Sequence, residues 1–137
     1  MSYGYGSSVD TAASAYKASR VMSSTPVDLI VMLHERLLAD LKGGALAIET
    51  QNINAKAVRV QSAYDVIYEL MASLDREAGG EISNRLAALY AYMITRIGDA
   101  SRTLDPEPLN EVAAHVESLL SAWSDLAAQG RGSPPPL

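Results

Sequence analysis

Residues 74–93 read LDREAGGEISNRLAALYAYM and contain the end of one helix, a turn and the start of another. The charged segment ends at two adjacent glycines, and Gly79 is a candidate C-cap because helix ends commonly need glycine's backbone freedom. After the glycines, apolar side chains recur every three or four positions, which predicts an amphipathic helix. The chain is therefore expected to reverse direction here between two helices.

The second of these helices carries two tyrosines on different faces. Tyr90 falls in the apolar stripe with Leu86 and Met93, so we expect it in the core with its hydroxyl at the boundary. Tyr92 lies roughly 200° further around the helix, on the same face as Arg96, and is expected to be exposed. The sequence thus predicts one structural tyrosine and one tyrosine that is available to a partner.

The first and last helices begin with similar signals. In the first, Thr25 is a candidate N-cap, Pro26 suits the first helical position and Asp28 can complete a capping box. In the last, Asp105 is the candidate N-cap and Pro106 follows it. Both helices are therefore expected to start sharply at these residues.

Four segments of the chain have the spacing of amphipathic helices. Their expected core positions are Ile30, Leu33, Leu37, Leu41, Ala45 and Ile48 in the first, Val60, Ala63, Tyr64, Ile67, Leu70, Met71 and Leu74 in the second, Ile82, Leu86, Leu89, Tyr90, Met93 and Ile97 in the third, and Leu109, Val112, Val116, Leu119, Leu120, Trp123 and Leu126 in the fourth. Gly43 and Gly44 interrupt the first segment and predict a bend. Because such helices bury their apolar stripes on one another, the sequence predicts an all-α, antiparallel up-down four-helix bundle.

The two ends of the chain differ in composition from this core. Residues 1–11 are rich in Gly, Ser and Tyr and are expected to be disordered, and residues 12–20 fit a short extra N-terminal helix. Residues 129–137, QGRGSPPPL, are expected to form a disordered tail, because proline lacks the N–H donor of a helix. One helical-bundle domain is therefore predicted over residues 12–128.

Composition excludes several classes of function. The 137 residues carry a net charge of −5, which argues against a general nucleic-acid or anionic-membrane partner, and they include no cysteine for disulfide or zinc-thiolate chemistry. No apolar run is long enough to span a membrane, and MSYGYGSSVD lacks the features of a signal peptide. We therefore expect a cytoplasmic protein that neither binds nucleic acid nor inserts into membranes.

Sequence motifs for catalysis and metal binding are missing. The two histidines, His34 and His115, lie in neither a zinc-protease motif nor the Glu-x-x-His motif of di-iron bundles. No phosphate-binding glycine loop and no nucleophile elbow occurs. We expect no enzyme activity, no cofactor and no metal, so binding is the favoured class of function.

The first helix has a wider apolar surface than the fourth. Beside its core stripe run Val27, Val31, His34 and Leu38, rotated by roughly 100° around the helix, and Met32 widens the arc on the other side. A surface this broad fits a second contact, which is another helix of the bundle, a second copy of the chain or a bound peptide. The residues themselves leave these three choices open.

Residues 74–93 closely resemble the signature of the flagellar secretion chaperones of the FliS family. The matching features are the Leu-Asp pair, the two glycines followed by an acid, and the Leu-Tyr and Tyr-Met pairs. STPVDLIVML at 24–33 and SAW at 121–123 also fit, so the resemblance covers roughly residues 15–127. The sequence HER at 34–36 departs from the family's usual tyrosine, aspartate and glycine.

The resemblance implies a helical bundle that binds the unfolded C-terminal segment of flagellin in the cytoplasm, prevents premature polymerisation and assists delivery to the flagellar type III secretion apparatus. A flagellar export-gate component, a co-chaperone and an anti-sigma factor are further candidate partners. The residues expected to contact the cargo are Tyr16, Val21, Val27, Val31, Met32, His34, Leu38 and Tyr92. The alternative is a homodimeric structural or regulatory bundle that carries no secretion cargo.

Overall fold

The structure of the protein is a computed structural model that describes residues 25–132. Within this range the chain forms no β-strand and four α-helices: α1 (Pro26–Glu49), α2 (Ile53–Ala72), α3 (Arg76–Thr103) and α4 (Glu107–Gly132). The prediction of an all-α bundle is confirmed. The predicted short helix at 12–20 lies outside the described residues, and α4 continues past the predicted domain boundary at residue 128.

Side-chain caps define the starts of the first three helices. The Oγ1 atom of Thr25 accepts a hydrogen bond from the backbone N–H of Asp28 at 3.1 Å, and the Asp28 carboxylate accepts one from the Thr25 N–H at 3.2 Å. The predicted capping box is therefore confirmed. Asn52 caps α2 and Asp75 caps α3 through their side-chain oxygens, which satisfy N–H groups that have no partner inside the helix.

Two helix boundaries differ from the predictions. Helix α2 ends at Ala72 with Ser73 as its C-cap, so the predicted C-cap, Gly79, lies in the first turn of α3 instead. Helix α4 begins at Glu107, one residue beyond the predicted first helical position, and the Oδ1 atom of Asp105 accepts a hydrogen bond from the Glu107 N–H at 3.0 Å. Asp105 thus still supplies the oxygen that stabilises this helix start.

Contacts between neighbouring helices show that the bundle is antiparallel. These contacts are Arg36–Ser62 and Asp40–Arg59 between α1 and α2, Lys56–Ser101 between α2 and α3, Arg96–Glu111 between α3 and α4, and His34–Trp123 and Lys42–Glu117 between α1 and α4. Residue numbers rise along α1 while they fall along α2 and α4. The starts of α1 and α3 and the ends of α2 and α4 therefore meet at one end of the bundle.

The core is built from one face of each helix. Its largest fully buried side chains are His34, Leu37, Leu41, Val66, Ile67, Leu70, Tyr90, Met93, Ile97, Leu109, Val112 and Val116. Two predicted core residues are instead exposed, Ile82 by 70% and Leu126 by 47%. Ile82 lines a pocket at the end of the bundle, where the neighbouring helices stop covering α3. In α4 the buried stripe continues through Ala127, and Leu126 beside it is exposed.

Gly43 and Gly44 do not interrupt α1, which continues as one helix across both residues. A Cβ atom at Gly43 would lie 2.7 Å from the Nε atom of Arg59, and one at Gly44 would lie 3.2 Å from a Cδ1 atom of Leu109. The two glycines thus allow α2 and α4 to approach α1 closely.

Candidate functional site

The predicted cargo-binding residues of α1 do not lie on one face. Val27, Val31 and Leu38 are half-buried. By helical phase they lie between His34 and Lys42, which contact Trp123 and Glu117, so they share the side of α1 that faces α4. The bundle therefore covers part of this flank and leaves part of it accessible. Met32 is also half-buried but lies roughly 100° from Val31 around the helix, so a partner on the α4-facing flank reaches Met32 only by crossing α1.

His34 is placed differently from the prediction, because its side chain has 0% exposure and cannot touch a partner directly. Its Nδ1 atom lies 2.8 Å from the carbonyl oxygen of Ile30, one turn earlier in α1. Its Nε2 atom lies 3.2 Å from the hydroxyl of Tyr90 on α3. The ring centroid is 6.5 Å from that of Trp123 on α4. The hydrogen bonds offset the cost of burying a polar ring, since both nitrogens have partners.

Burial shifts the pKa values of both His34 and Tyr90. Loss of solvation lowers the pKa of His34, and the hydrogen bond to the Ile30 carbonyl opposes that shift without cancelling it. Burial raises the pKa of Tyr90 to about 12. His34 is therefore neutral and Tyr90 protonated at neutral pH, which keeps the Tyr90 O–H available as a donor.

A pocket of about 270 Å³ opens at the end of the bundle where α1 and α3 begin. Its lining is mostly apolar and consists of Ile30, Leu70, Ser73, Leu74, Asp75, Gly79, Ile82, Ser83, Leu86, Tyr90 and Trp123. All four helices contribute to it. A volume of this size accommodates one or two large apolar side chains but not a whole helix.

A break in α3 shapes one wall of this pocket. Gly80 has φ 54° and ψ −124°, outside the helical region, and separates the first turn of α3 from the rest of the helix. The hydroxyl of Ser83 donates a hydrogen bond to the carbonyl oxygen of Asp75 at 2.9 Å and so bridges the break. The glycine pair predicts a turn from sequence alone, but nothing in the sequence predicts the pocket, because it exists only where four distant segments meet.

The two tyrosines of α3 lie on the predicted faces, but the hydroxyl of Tyr90 meets buried His34 and does not lie at the core boundary. Tyr90 is 1% exposed and Tyr92 is 43% exposed. The Tyr92 hydroxyl donates a hydrogen bond to Glu111 on α4 at 2.5 Å, and its ring meets that of His115 edge to face with centroids 6.3 Å apart. Tyr92 thus lies at the α3–α4 boundary, apart from the flank of α1.

The carboxylate beside Tyr92 is held in its charged form. The hydrogen bond from Tyr92, followed by that from Arg96, lowers the pKa of Glu111. Arg96 also bonds to Asp99 within α3, and the bonds from Tyr92 and Arg96 to Glu111 tie α3 to α4. A partner that engages Tyr92 meets this polar network rather than an apolar groove.

Two predicted cargo residues, Tyr16 and Val21, lie outside the described residues. In the part of the chain that the structure describes, no helix is both long and apolar enough to cross a membrane.

Comparison with known proteins connects this bundle to flagellar proteins. A family model described as the flagellar protein FliS matches residues 9–130. The flagellar secretion chaperone FliS of Salmonella typhimurium is 34% identical over 110 residues, which make up 80% of this chain and 82% of that protein. The protein of the same name from Vibrio cholerae is 31% identical over 79% of this chain and 79% of its own length. The one from Bacillus subtilis is 32% identical over 80% of this chain and 80% of its own length. The chain therefore belongs to the FliS family of flagellar proteins.

Proposed function

We propose that the protein is a cytoplasmic export chaperone that binds the unfolded C-terminal segment of flagellin, prevents its premature polymerisation and assists its delivery to the flagellar secretion apparatus. The observation that carries the proposal is the half-buried apolar flank of α1 next to an open apolar pocket, in a chain whose relatives are named flagellar secretion chaperones. Holding a segment by apolar contact requires no catalytic group, nucleotide or metal. The alternative of a bundle without cargo is not favoured by these relatives.

The geometry fits an amphipathic segment that folds as it binds. Val27, Val31 and Leu38 recur with the spacing of one helix face, so an apolar chain lying along α1 meets them in succession. The end pocket accepts a bulky side chain of the same segment. Met32 and Tyr92 remain candidate contacts for a longer segment that wraps around the bundle. His34 is fully buried and is therefore not proposed as a direct contact.

The proposal predicts a 1:1 complex with a peptide of the flagellin C-terminal segment. Because apolar surface is buried and an unfolded chain becomes ordered, calorimetry is expected to show a negative heat-capacity change and an unfavourable entropy near 25 °C. Val31→Ala is expected to weaken binding about fivefold to tenfold through lost apolar contact. Val58→Ala is the matched control, because Val58 is 68% exposed on α2 and lies away from the flank. Absence of binding at about 100 μM peptide would refute the proposal.

The segment before α1 is proposed to occupy part of the cargo surface in the free protein. Tyr16 and Val21 precede the helix start at Thr25, so the tether holds them near the flank at an effective concentration of roughly millimolar. A competing segment of this kind lowers the observed affinity. We therefore expect deletion of residues 1–20 to leave flagellin binding unchanged or to tighten it up to about fivefold.

Titration of labelled flagellin peptide into the full-length and truncated proteins tests this prediction, with circular dichroism to verify that the truncated protein keeps its helices. Weaker binding by a folded truncated protein would contradict the competition and would make Tyr16 and Val21 direct cargo contacts.

A further inference from the structure

His34 is bonded to or packed against three residues that line the end pocket. Ile30 accepts from its Nδ1 atom, Tyr90 bonds to its Nε2 atom, and Trp123 lies beside its ring. His34 is not itself part of the lining, and its side chain is fully buried. His34 therefore lies directly behind the pocket wall. The wall residues that it contacts come from three helices, α1, α3 and α4.

The hydrogen bonds define the state of the ring. A carbonyl oxygen can only accept, so the Nδ1 atom of His34 must carry the hydrogen in the bond to Ile30. In the neutral ring Nε2 is then an acceptor, and the Tyr90 hydroxyl donates to it. The donor hydrogen of Tyr90 is committed to His34, which fixes the direction of the Tyr90 side chain at the base of the pocket.

We propose that His34 is a proton-sensitive positioning residue for the end pocket, so that proton uptake by its ring reshapes the pocket and weakens capture of an apolar segment there. The effect on the pocket concerns the free protein, and only the effect on capture rests on the proposed function.

Proton uptake removes the acceptor on which the pocket wall depends. With hydrogens on both ring nitrogens, Nε2 no longer accepts from Tyr90, and the Tyr90 hydrogen must find another partner. The imidazolium is also a charge in an apolar interior, which drives the ring toward water. Because Tyr90 and Trp123 contact the ring and also line the pocket, a shift of the ring toward the pocket displaces them.

The groups on the neighbouring helices do not offset such a charge. From α3 the facing titratable group is Tyr90, whose pKa is raised to about 12 and which stays neutral throughout the acid range. From α4 the facing side chain is Trp123, and α2 contributes Leu70 to the pocket wall. Both bonds to the ring come from neutral groups, which agrees with a pKa of His34 below its ordinary value.

Three charged residues lie near His34, either next to it in sequence or on the pocket lining. On α1 itself the adjacent Glu35 and Arg36 are exposed and lie roughly 100° and 200° around the helix from His34. Asp75 is the carboxyl group on the pocket lining, and its Oδ1 atom accepts from the Ala78 N–H at the start of α3. Both nitrogens of the neutral His34 ring are already bonded to Ile30 and Tyr90.

The free protein provides the first test, because Trp123 is the single tryptophan and the chain has only two histidines. Tryptophan emission and the ring resonances of both histidines are followed from about pH 8 to pH 4.5. We expect a transition of Trp123 emission that coincides with the His34 resonance and lies below about 6.5. His34→Gln, which keeps an acceptor for Tyr90 but does not titrate, should remove the emission transition. His115→Gln, at a histidine whose side chain is 44% exposed, should leave it intact.

Three results of the first test would overturn the proposal: an emission transition that survives His34→Gln, one that follows His115, or a His34 titration that leaves Trp123 unchanged. The resonances of the unmodified protein decide the matter even where His34→Gln fails to fold. Titration of His34 with a simultaneous change at Trp123 supports the proposal.

Binding of the flagellin C-terminal peptide is the second test, measured at about pH 7.5 and at one pH unit below the midpoint of the His34 resonance found in the first test. If binding is linked to the uptake of one proton by His34, the affinity can fall by at most about tenfold per pH unit. We expect the affinity to fall at least threefold between the two pH values. This loss should be absent in His34→Gln. A pH-independent affinity in the unmodified protein would overturn the effect on capture. Failure of the peptide to bind at pH 7.5 refutes the proposed function instead, and the emission transition of the free protein then still decides the role of His34 at the pocket.

Discussion

Replacing Leu41 with alanine is expected to lower the free energy of unfolding by about 2–5 kcal/mol, the largest effect among the single substitutions considered. Leu41 is 1% exposed and belongs to the cluster that also contains Leu37, Ile48 and Val112. Truncation removes apolar area from contact and leaves a cavity, because the surrounding helices relax only partly. Chemical denaturation followed by circular dichroism measures the effect.

Leu46→Ala is the matched control for Leu41→Ala. Both residues are leucines in α1, but Leu46 is 59% exposed. We expect its truncation to change the free energy of unfolding by less than about 1 kcal/mol. Equal losses at the two positions would contradict this orientation of α1, since one face of the helix would then be no more buried than the other.

Most of the fold could be predicted because local signals and apolar spacing agree. The capping box at Thr25 and Asp28 and the opposite environments of Tyr90 and Tyr92 follow from residue type and a repeat of 3.6 residues. Such features depend on neighbours that are close in sequence. They are the features that a single sequence specifies most directly.

The predictions that the structure contradicts concern residues whose surroundings are set by segments distant in sequence. Gly43 and Gly44 predict an interruption of the helix by their intrinsic preference, but the close approach of Arg59 and Leu109 gives them a packing role in a continuous helix. Ile82 has the helical phase of a core residue, yet it lies at the end of the bundle and lines a pocket. Which helix ends meet there is a property of the assembled bundle.

The candidate site was predicted less well for the same reason. The flank formed by Val27, Val31 and Leu38 follows from the periodicity of α1. His34 falls within the same arc by sequence, but α3 and α4 supply Tyr90 and Trp123 as its neighbours and bury it. A periodic pattern shows how wide an apolar arc is, and it does not show how much of that arc the other helices cover.

Gly80→Ala is expected to lower the free energy of unfolding by about 1–3 kcal/mol, although an added methyl group would touch nothing. No heavy atom lies within 4 Å of a Cβ atom placed at Gly80, so steric overlap with other residues does not contribute. The cost arises from the backbone, because φ is 54° and ψ is −124°, a combination that side chains with a Cβ atom rarely adopt. The lower entropy of alanine in the unfolded chain offsets only part of this cost, because the native backbone conformation is one that alanine adopts under strain.

Gly130→Ala provides the control, because a Cβ atom at Gly130 would also have nothing within 4 Å, but this glycine lies in α4 without a positive φ. We expect alanine there to leave stability unchanged or to raise it by up to about 1 kcal/mol, because alanine has the higher helix propensity. Thermal and chemical denaturation should therefore show a loss of stability in the Gly80 variant alone. If Gly80→Ala is as stable as the unmodified protein, α3 does not break at this residue, and the pocket wall formed by Gly79, Ile82 and Ser83 must be arranged differently.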